Sequence, residues 1–596
     1  MTTTSPSSPP SHPDGRNRPQ IKWTEALAPA EGGHPGLRAG VVLEEDGVLI
    51  ERDVPVTMRD GARVFVDVFR PRTTSAVPAI LTLSPYGKHA PKGLHLFPGA
   101  DVPDGSVSRH TVWEGPDPMW WTRHGYAVVN ADSRGSWMSE GDLVVFGEQE
   151  GEDGHDLVEW AARQPWCNSK VGMSGVSYLA IVQWRVAATR PPHLAAINPW
   201  EGLSDVYREY FFHGGIPETK FVKFMQWSVR CGTGRVEDLV AMHEAHPLLD
   251  AYNQSKSVAD LSVIDVPAYC VAGWGDHGLH TRGTIEAWRQ LGSKNKWLEI
   301  HGRKKWQYYY RPESLRRQKA FFDHFLKATE PSGDEVVSWP PVRIEVRERR
   351  NVGVERDEHE WPIARTRYQS YALDAATGRL DRETPPSPSS VAYDPGAEDG
   401  RAVFDLRFET TTEITGYAKL RLWVETDDGD DMDLFVALQK LDVDGQEVQF
   451  PYWSMMDDGQ VALGWLRASH RELDEKRSTP WQPRLHHRRR TMLRAGERVP
   501  VEIEIWPSST RFDAGETLRL VVQGRDFHRY DLAPTQAHED SVNRGRHRIH
   551  TGGTSDSHLL LPVIPARGLA AGLALSSEVH DTPTQEDPAK NVGDKP

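Results

Sequence analysis

The stretch Val171-Gly-Met-Ser-Gly-Val-Ser-Tyr-Leu-Ala180 decides how this chain folds. Ser177 stands two residues after Gly175. A short run able to form a strand, Lys170 to Met173, precedes it, and a helix-like run, Tyr178 to Thr189, follows. A strand that turns sharply into a helix at a serine is a nucleophile elbow, which pushes the hydroxyl above the end of a sheet. Such a turn is strained and closely packed, so small residues are needed around it. Gly175 and Ala180 meet that need. The form G-x-S-x-G is not fulfilled, because Leu179 holds its last place and the small residue comes one later. Taken alone, the stretch fits a helix start capped by Ser177 equally well.

Outward from it the pattern is regular. Val54, Val56 and Met58 alternate before Arg59-Asp60-Gly61, and Val64, Val66 and Val68 alternate after it, as in a hairpin with an Asp-Gly turn. Val77 to Leu83 and Ala127 to Asp132 are short apolar runs suited to buried parallel strands. Glu150 to Gln164 carries a helical apolar stripe, and Ala195 to Pro199 is a further strand. Strands and helices therefore alternate from Val77 to Pro199, which predicts an α/β fold with a parallel sheet. The rhythm stops over residues 201–263, an aromatic-rich and mostly helical insertion placed as a cap over the sheet's active edge. It resumes with a strand from Ile264 to Ala272, a helix from Thr281 to Leu291, a strand from Lys296 to His301 and a helix from Pro312 to Lys327.

After Gly333 the period changes to two, in runs such as Val403 to Phe408, Gly416 to Thr426 and Thr517 to Gly524, with no long helix between them. That pattern predicts an all-β sandwich or jelly roll. The acids from Asp427 to Asp433 are expected to form a solvated hairpin turn rather than a calcium loop. The expected layout is an N-terminal tail, partly disordered (1–47), a core in two parts (48–200 and 264–332) around the insertion (201–263), the β region (333–566), and a C-terminal tail (567–596).

Composition narrows the function. A net charge of −15 argues against a nucleic-acid binder, whose affinity rests on basic surface. No apolar run reaches the ~20 residues that span a bilayer, and Met1 to Gln20 lacks the apolar segment of a secretory signal. Cys167, Cys231 and Cys270 are too scattered for a metal site or a disulfide framework, which fits a reducing compartment. The expectation is a cytoplasmic protein whose partner is a small molecule, not nucleic acid or membrane. A homo-oligomer is left open.

Strand ends supply the chemistry. Ser177 leaves one strand, Asp276 leaves a later one within Gly273-Trp274-Gly275-Asp276-His277, and His301 ends the next. Ser, Asp, His is the chain order of the α/β-hydrolase triad. Serine needs a histidine to remove its proton, and the histidine needs a carboxylate to fix its tautomer. Two donors must also meet the developing oxyanion, each worth ~3–4 kcal/mol in favourable cases. The backbone N–H of Tyr178 and the hydroxyl of Tyr86, in Ser84-Pro-Tyr86-Gly-Lys88, are the candidates.

With these residues the chain resembles the cocaine esterase / Xaa-Pro dipeptidyl-peptidase family of serine hydrolases. Further motifs carry the resemblance in order: Met58-Arg-Asp-Gly61, Asp132-Ser-Arg-Gly135, Ser139-Glu-Gly141, Asp153-Gly-His-Asp156, Gln164-Pro-Trp166, Gly175-Val-Ser-Tyr178, Pro507-Ser508-Ser509 and Gly515-Glu-Thr-Leu518-Arg519. The resemblance spans about Glu51 to Pro565. It implies an α/β-hydrolase core with a helical cap insertion, followed by an all-β jelly-roll domain. It also implies Ser177 as nucleophile, Asp276 as acid, Tyr86 and the Tyr178 amide as oxyanion donors, and ester or amide hydrolysis through an acyl-enzyme. No metal and no organic cofactor is implied.

Two departures stand out. Ala180 replaces the family's usual glycine. The family's Gly-Pro-Trp-x-His stretch reads Gly302-Arg-Lys-Lys-Trp306-Gln-Tyr-Tyr-Tyr310 here. Matching the tryptophans puts Tyr308 at the histidine, and matching the glycines puts Trp306 there. His301 is therefore the first choice of base, with His280 and His277 as alternatives. Trp200, Trp274, Phe211 and Phe212 are expected around the substrate. An Xaa-Pro dipeptidyl-peptidase or an α-amino-acid ester hydrolase needs carboxylates for a substrate ammonium, for which Glu201, Asp205, Glu209 and Glu218 are at hand. A ligand-binding protein derived from a hydrolase is the rival from another class.

Overall fold

Val48–Thr57 (β1) and Arg63–Pro71 (β2) form the hairpin around Gly61, whose φ of 91° needs a residue without a side chain. These coordinates belong to a computed structural model that describes residues 19–38, 40–89, 97, 99–327, 335–530 and 535–565. Val77–Ser84 (β3), Ala127–Asp132 (β4), Cys167–Val176 (β5), Leu194–Trp200 (β6), Ala268–Gly273 (β7) and Lys296–His301 (β8) are mutually parallel. Their pairing gives the order β1-β2-β4-β3-β5-β6-β7-β8, with β2 antiparallel to β4. Val342–Arg349 (β9) then adds to β8 in parallel, and Val352–Glu358 (β10) follows antiparallel.

Helices cross between these strands. Glu148–Ala162 (α1) and Tyr178–Ala188 (α2) flank β5. Phe221–Ser228 (α3) and Leu239–Ala245 (α4) lie in the insertion. Thr281–Gln290 (α5) follows β7, while Lys305–Tyr310 (α6) and Pro312–Leu326 (α7) follow β8. The apolar strands bury both faces. Ile80, Val128, Val176 and Val271 join one apolar cluster; their neighbours Leu81, Val129, Cys270 and Ala272 join another on the other face. That division explains why these strands read as continuous apolar runs.

The insertion is less helical than its sequence suggests. It holds a π-helical turn at Tyr207–Phe211 and a two-residue ladder between Phe212–His213 and Ile216–Pro217, besides its short helices. Its Arg235–Glu237 strand pairs with Trp23–Glu25, and Val42–Glu45 pairs with β1. Part of the expected N-terminal tail is thus built into the fold by backbone pairing. Residues 1–18 and the expected tail at 567–596 lie outside the described residues.

From Arg367 onward the described chain is mostly antiparallel strand. The longest pair is Thr412–Thr426 with Val499–Phe512, and its inward residues Leu420, Leu422, Ile503 and Ile505 sit in a separate apolar core. The acid segment divides: Asp427, Asp428 and Asp430 are exposed in a bend, as expected, whereas Asp433 is fully buried and accepts two bonds from the Arg467 guanidinium, at 2.7 and 2.9 Å. Asp431 is buried on the amides of Met432 and Ser469. A carboxylate is tolerated inside only with such partners. No helix among the described residues is long and apolar enough to cross a membrane.

Candidate active site

Ser177 caps β5 and opens α2 with φ 56° and ψ −115°, the strained geometry of an elbow. Its N–H donates to the carbonyl of Trp200 at 2.9 Å, which ties the turn to the end of β6. The tight packing is visible in the small residues. A Cβ on Gly175 would fall 2.5 Å from the Cβ of Leu179. The methyl of Ala180, the departure noted in the sequence, is accommodated by a second glycine: a Cβ on Gly202 would lie 3.1 Å from it.

The acid loop leaves β7. The N–H groups of Leu279, His280 and Thr281 all converge on the carbonyl of Asp276, and Gly278 takes φ 83°. This turn sets Asp276 and His280 one helical turn apart, where side chains at i and i+4 meet. His280 Nδ1 lies 2.5 Å from Asp276 Oδ2, and His280 Nε2 lies 3.1 Å from Ser177 Oγ. All three side chains are buried, Ser177 at 8% exposure and His280 at 1%. Neighbouring segments brace the loop. Trp453 N–H donates to the Gly275 carbonyl, and Leu463 N–H donates to His277 Nδ1. A ring nitrogen of His213 bonds the Gly278 carbonyl at 2.7 Å.

The structure does not bring His301 to Ser177. Gly273 and His301 are register partners in β7 and β8, but His301 Nε2 pairs with Glu201 Oε1 at 3.1 Å. His301 Nδ1 accepts from the Arg303 N–H, and the ring stacks on Tyr308 at 3.8 Å. Both nitrogens are occupied, so none is left for the serine. Nor does His277 meet Ser177; burial and the Arg347 charge push its pKa down to about 3.

Electrostatics favour a neutral imidazole facing an anionic aspartate. Burial and the Lys305 ammonium push His280 down to about 4, against the opposing pull of Asp276. Although burial alone raises Asp276, Lys305 and His280 together hold it far below the usual carboxylate range. Glu201 is pushed well up by burial and by the Asp276 charge, so it keeps its proton. Lys305 Nζ lies 3.0 Å from Asp276 Oδ2 and 3.2 Å from His280 Nδ1.

The start of α2 beside Ser177 has a feature that sequence motifs did not flag. Glu114, in the left-handed region at φ 63°, lends its carbonyl to the Val176 N–H at 3.0 Å and lays its buried carboxyl against the Tyr178 N–H. Burial pushes that carboxyl up to about 8, so it is a neutral acid at neutral pH. Tyr86 is buried beside Tyr178, ring centroids 5.6 Å apart, and burial keeps its phenol protonated. The Tyr178 side chain points elsewhere, donating to Glu150 at 2.7 Å.

Other expected residues divide. Trp200, Phe211 and Phe212 lie in the apolar cluster that also holds Tyr86 and Tyr178. Trp274 does not: it packs in the other cluster, with its indole N–H on the Glu345 carbonyl. Of the four carboxylates offered for an ammonium, Asp205 pairs with Arg208 and Arg484, Glu209 pairs with Arg282, and Glu218 caps the amides at the start of α3. Only Glu201 lies at the Asp276 cluster. Two groups have donor atoms close enough for an ion, His34/Asp53/His89 and Glu201/Asp276/His280. In each, a lysine takes the cation's place: Lys88 on Asp53 and Lys305 on Asp276. Glu114 lies in no motif, and Lys305 lies in the stretch where the family resemblance breaks down. For His280, the i,i+4 spacing from Asp276 was the available signal.

The chain is similar to known proteins over most of its length. Residues 60–238 match the X-Pro dipeptidyl-peptidase (S15 family) model, and residues 335–560 match that of the X-Pro dipeptidyl-peptidase C-terminal non-catalytic domain. The chain is 27% identical to the cocaine esterase of Rhodococcus sp. (strain MB1 Bresler) over 86% of this chain and 98% of the esterase. A crystal structure of a CocE/NonD family hydrolase from Staphylococcus aureus is 38% identical, with a TM-score of 0.84 over 91% of this chain and 99% of that one. An α-amino acid ester hydrolase, at 17% identity and a TM-score of 0.67 over 89% of this chain and 99% of its own, shares the fold. The chain belongs to the CocE/NonD family of hydrolases and is a serine hydrolase.

Proposed function

We propose that the protein cleaves an ester or amide of a small molecule through an acyl-enzyme, with Ser177 as nucleophile, His280 as base and Asp276 as the group that orients it. The observation that carries this is the continuous line from Asp276 Oδ2 to His280 Nδ1, 2.5 Å, and from His280 Nε2 to Ser177 Oγ, 3.1 Å. With the Nδ1 proton on the bond to Asp276, Nε2 is free to accept from the serine. Ser177 Oγ attacks the carbonyl carbon and its proton passes to Nε2. The tetrahedral oxyanion meets the Tyr178 N–H and the Tyr86 hydroxyl. Collapse expels the alcohol or amine, which takes the proton from Nε2. Water then repeats the sequence on the acyl-enzyme and frees Ser177. In this proposal the parallel sheet is an α/β-hydrolase core, residues 201–263 its cap, and the C-terminal strands a jelly roll.

The test is Ser177→Ala, assayed on p-nitrophenyl esters beside fluorophosphonate labelling of the wild type. The wild type is expected to label at Ser177, and the variant to lose about a thousand-fold or more in kcat/KM. Full activity in the variant, or labelling at another residue, defeats the assignment.

A further inference from the structure

We propose that Lys305 is a positioning residue for the base: its buried ammonium locks Asp276 and His280 in the arrangement that leaves Nε2 open to the proton of Ser177. This rests on the triad proposed above. Lys305 comes from the start of α6, beyond β8, so it clamps the acid loop from a separate element. It is 4% exposed, with Nζ 3.0 Å from Asp276 Oδ2 and 3.2 Å from His280 Nδ1.

The charges around the ring explain what the clamp does. His280 is faced by Ser177 from the elbow, Asp276 from its own loop, Lys305 from α6 and Glu201 from the end of β6; Glu114 stands behind Lys305. Glu201 and Glu114 are held protonated by burial. One anion, Asp276, and one cation, Lys305, therefore balance while the imidazole is neutral. Without the ammonium, Asp276 would be a buried carboxylate with the His280 hydrogen bond but no counter-charge, which is costly. The cheapest compensation is a second proton on His280, and an imidazolium cannot accept from serine. Lys305 thus keeps the resting ring neutral. The same charge, 3.2 Å from Nδ1, also opposes the imidazolium formed during attack. The base is weaker than usual but stays available at lower pH.

The experiment measures the rate of fluorophosphonate labelling of Ser177 in the wild type, Lys305→Met and Lys305→Arg from about pH 4 to about pH 9, with circular dichroism confirming the fold at each pH. The wild-type acidic limb is expected clearly below ~6.5, the ordinary imidazole value. Lys305→Met should move that limb upward by about one unit or more, about tenfold slower labelling on the acid side with recovery at high pH. Lys305→Arg, which keeps the charge, should leave the limb near the wild-type position. A wild-type limb at ~6.5 or above overturns the inference, and so does a Met variant slowed equally at every pH. Should Lys305→Met not fold, Lys305→Gln replaces it, and the wild-type limb still decides. Absence of labelling at Ser177 in the wild type defeats the triad instead; labelling with an unmoved limb defeats the role of Lys305 alone.

Discussion

The neighbouring ends of β7 and β8 both bring histidines to the site, His277 and His280 in the loop after β7 and His301 as the last residue of β8. Of these rings, His280 is the one that reaches the serine. In the β7 loop, His280 has Asp276 on Nδ1 and Ser177 on Nε2. At the end of β8, His301 spends one nitrogen on Glu201 and the other on the following loop's Arg303 N–H. What the β8 loop contributes to the Asp276 cluster is a cation, Lys305. The difference teaches that a strand-end position brings a histidine near a site but does not assign its role; the partners of both ring nitrogens do. Here Asp276 and His280 share one turn, and the loop after β8 supplies the counter-charge.

Removing His280 breaks the comparison hardest. His280→Ala leaves Ser177 without an acceptor and Asp276 with Lys305 but no imidazole. By analogy with other triads, kcat/KM on an activated ester should fall by about a thousand- to ten-thousand-fold or more, with fluorophosphonate labelling slowed in parallel. A loss of less than about tenfold would mean that another group activates the serine.

How much of this was legible in the sequence follows the same division. The strands of the sheet were readable because both of their faces are buried, so each is an unbroken apolar run; Ala127–Asp132 and Lys296–His301 have the expected bounds. Ser177 and Asp276 were readable because they sit where such runs end. The base was harder. His301 and His280 both follow Asp276, and the strand-end position just before the family's histidine stretch favoured His301, whereas the turn that closes on the Asp276 carbonyl is made by hydrogen bonds that no residue type announces. Asp433 was misjudged for a related reason. Its charge suggested solvent, but its partner Arg467 lies 34 residues away in sequence. Glu114 and Lys305 act through long-range burial and contact, and neither leaves a periodic or spaced signal.

Glu114 offers an intermediate test, at the Tyr178 N–H and within reach of Trp306 and Lys305 from the β8 loop. Its carboxyl is neutral below about 8 and ionises above it. An anion against the Tyr178 N–H repels a developing oxyanion, so activity should fall as pH rises through about 8. Glu114→Gln cannot ionise and should retain its rate there, exceeding the wild type about tenfold one pH unit above that midpoint. Stability supplies a second readout with a defined sign. The folded state holds a proton that the unfolded chain gives up above ~4.5, so wild-type stability falls as pH rises from ~4.5 towards ~8. The Gln variant should lose Glu114's share of that slope in its melting temperature, while Glu150 and Glu209, which burial also raises to about 7, keep theirs. Identical alkaline limbs in the two proteins would remove Glu114 from the oxyanion region.

The smallest effect is expected at His301, and it separates the loops most directly. Burial pushes this ring down to about 3, so it is neutral at working pH and carries no charge that the site depends on. Its partner Glu201 is itself protonated, and the two share a bond between uncharged groups. His301→Gln offers an amide in place of the ring nitrogen and loses the stacking on Tyr308. The cost should therefore be mainly packing, about 1–2 kcal/mol of stability. It should appear as a lower melting temperature, with kcat/KM within about threefold of the wild type and an unmoved acidic limb. If His301→Gln instead fell as far as His280→Ala, the ring that touches Glu201 in this structure would have to reach Ser177 during turnover. That would require the β8 loop to give up its bonds to Glu201 and Arg303, and the roles of the two loops would be reversed.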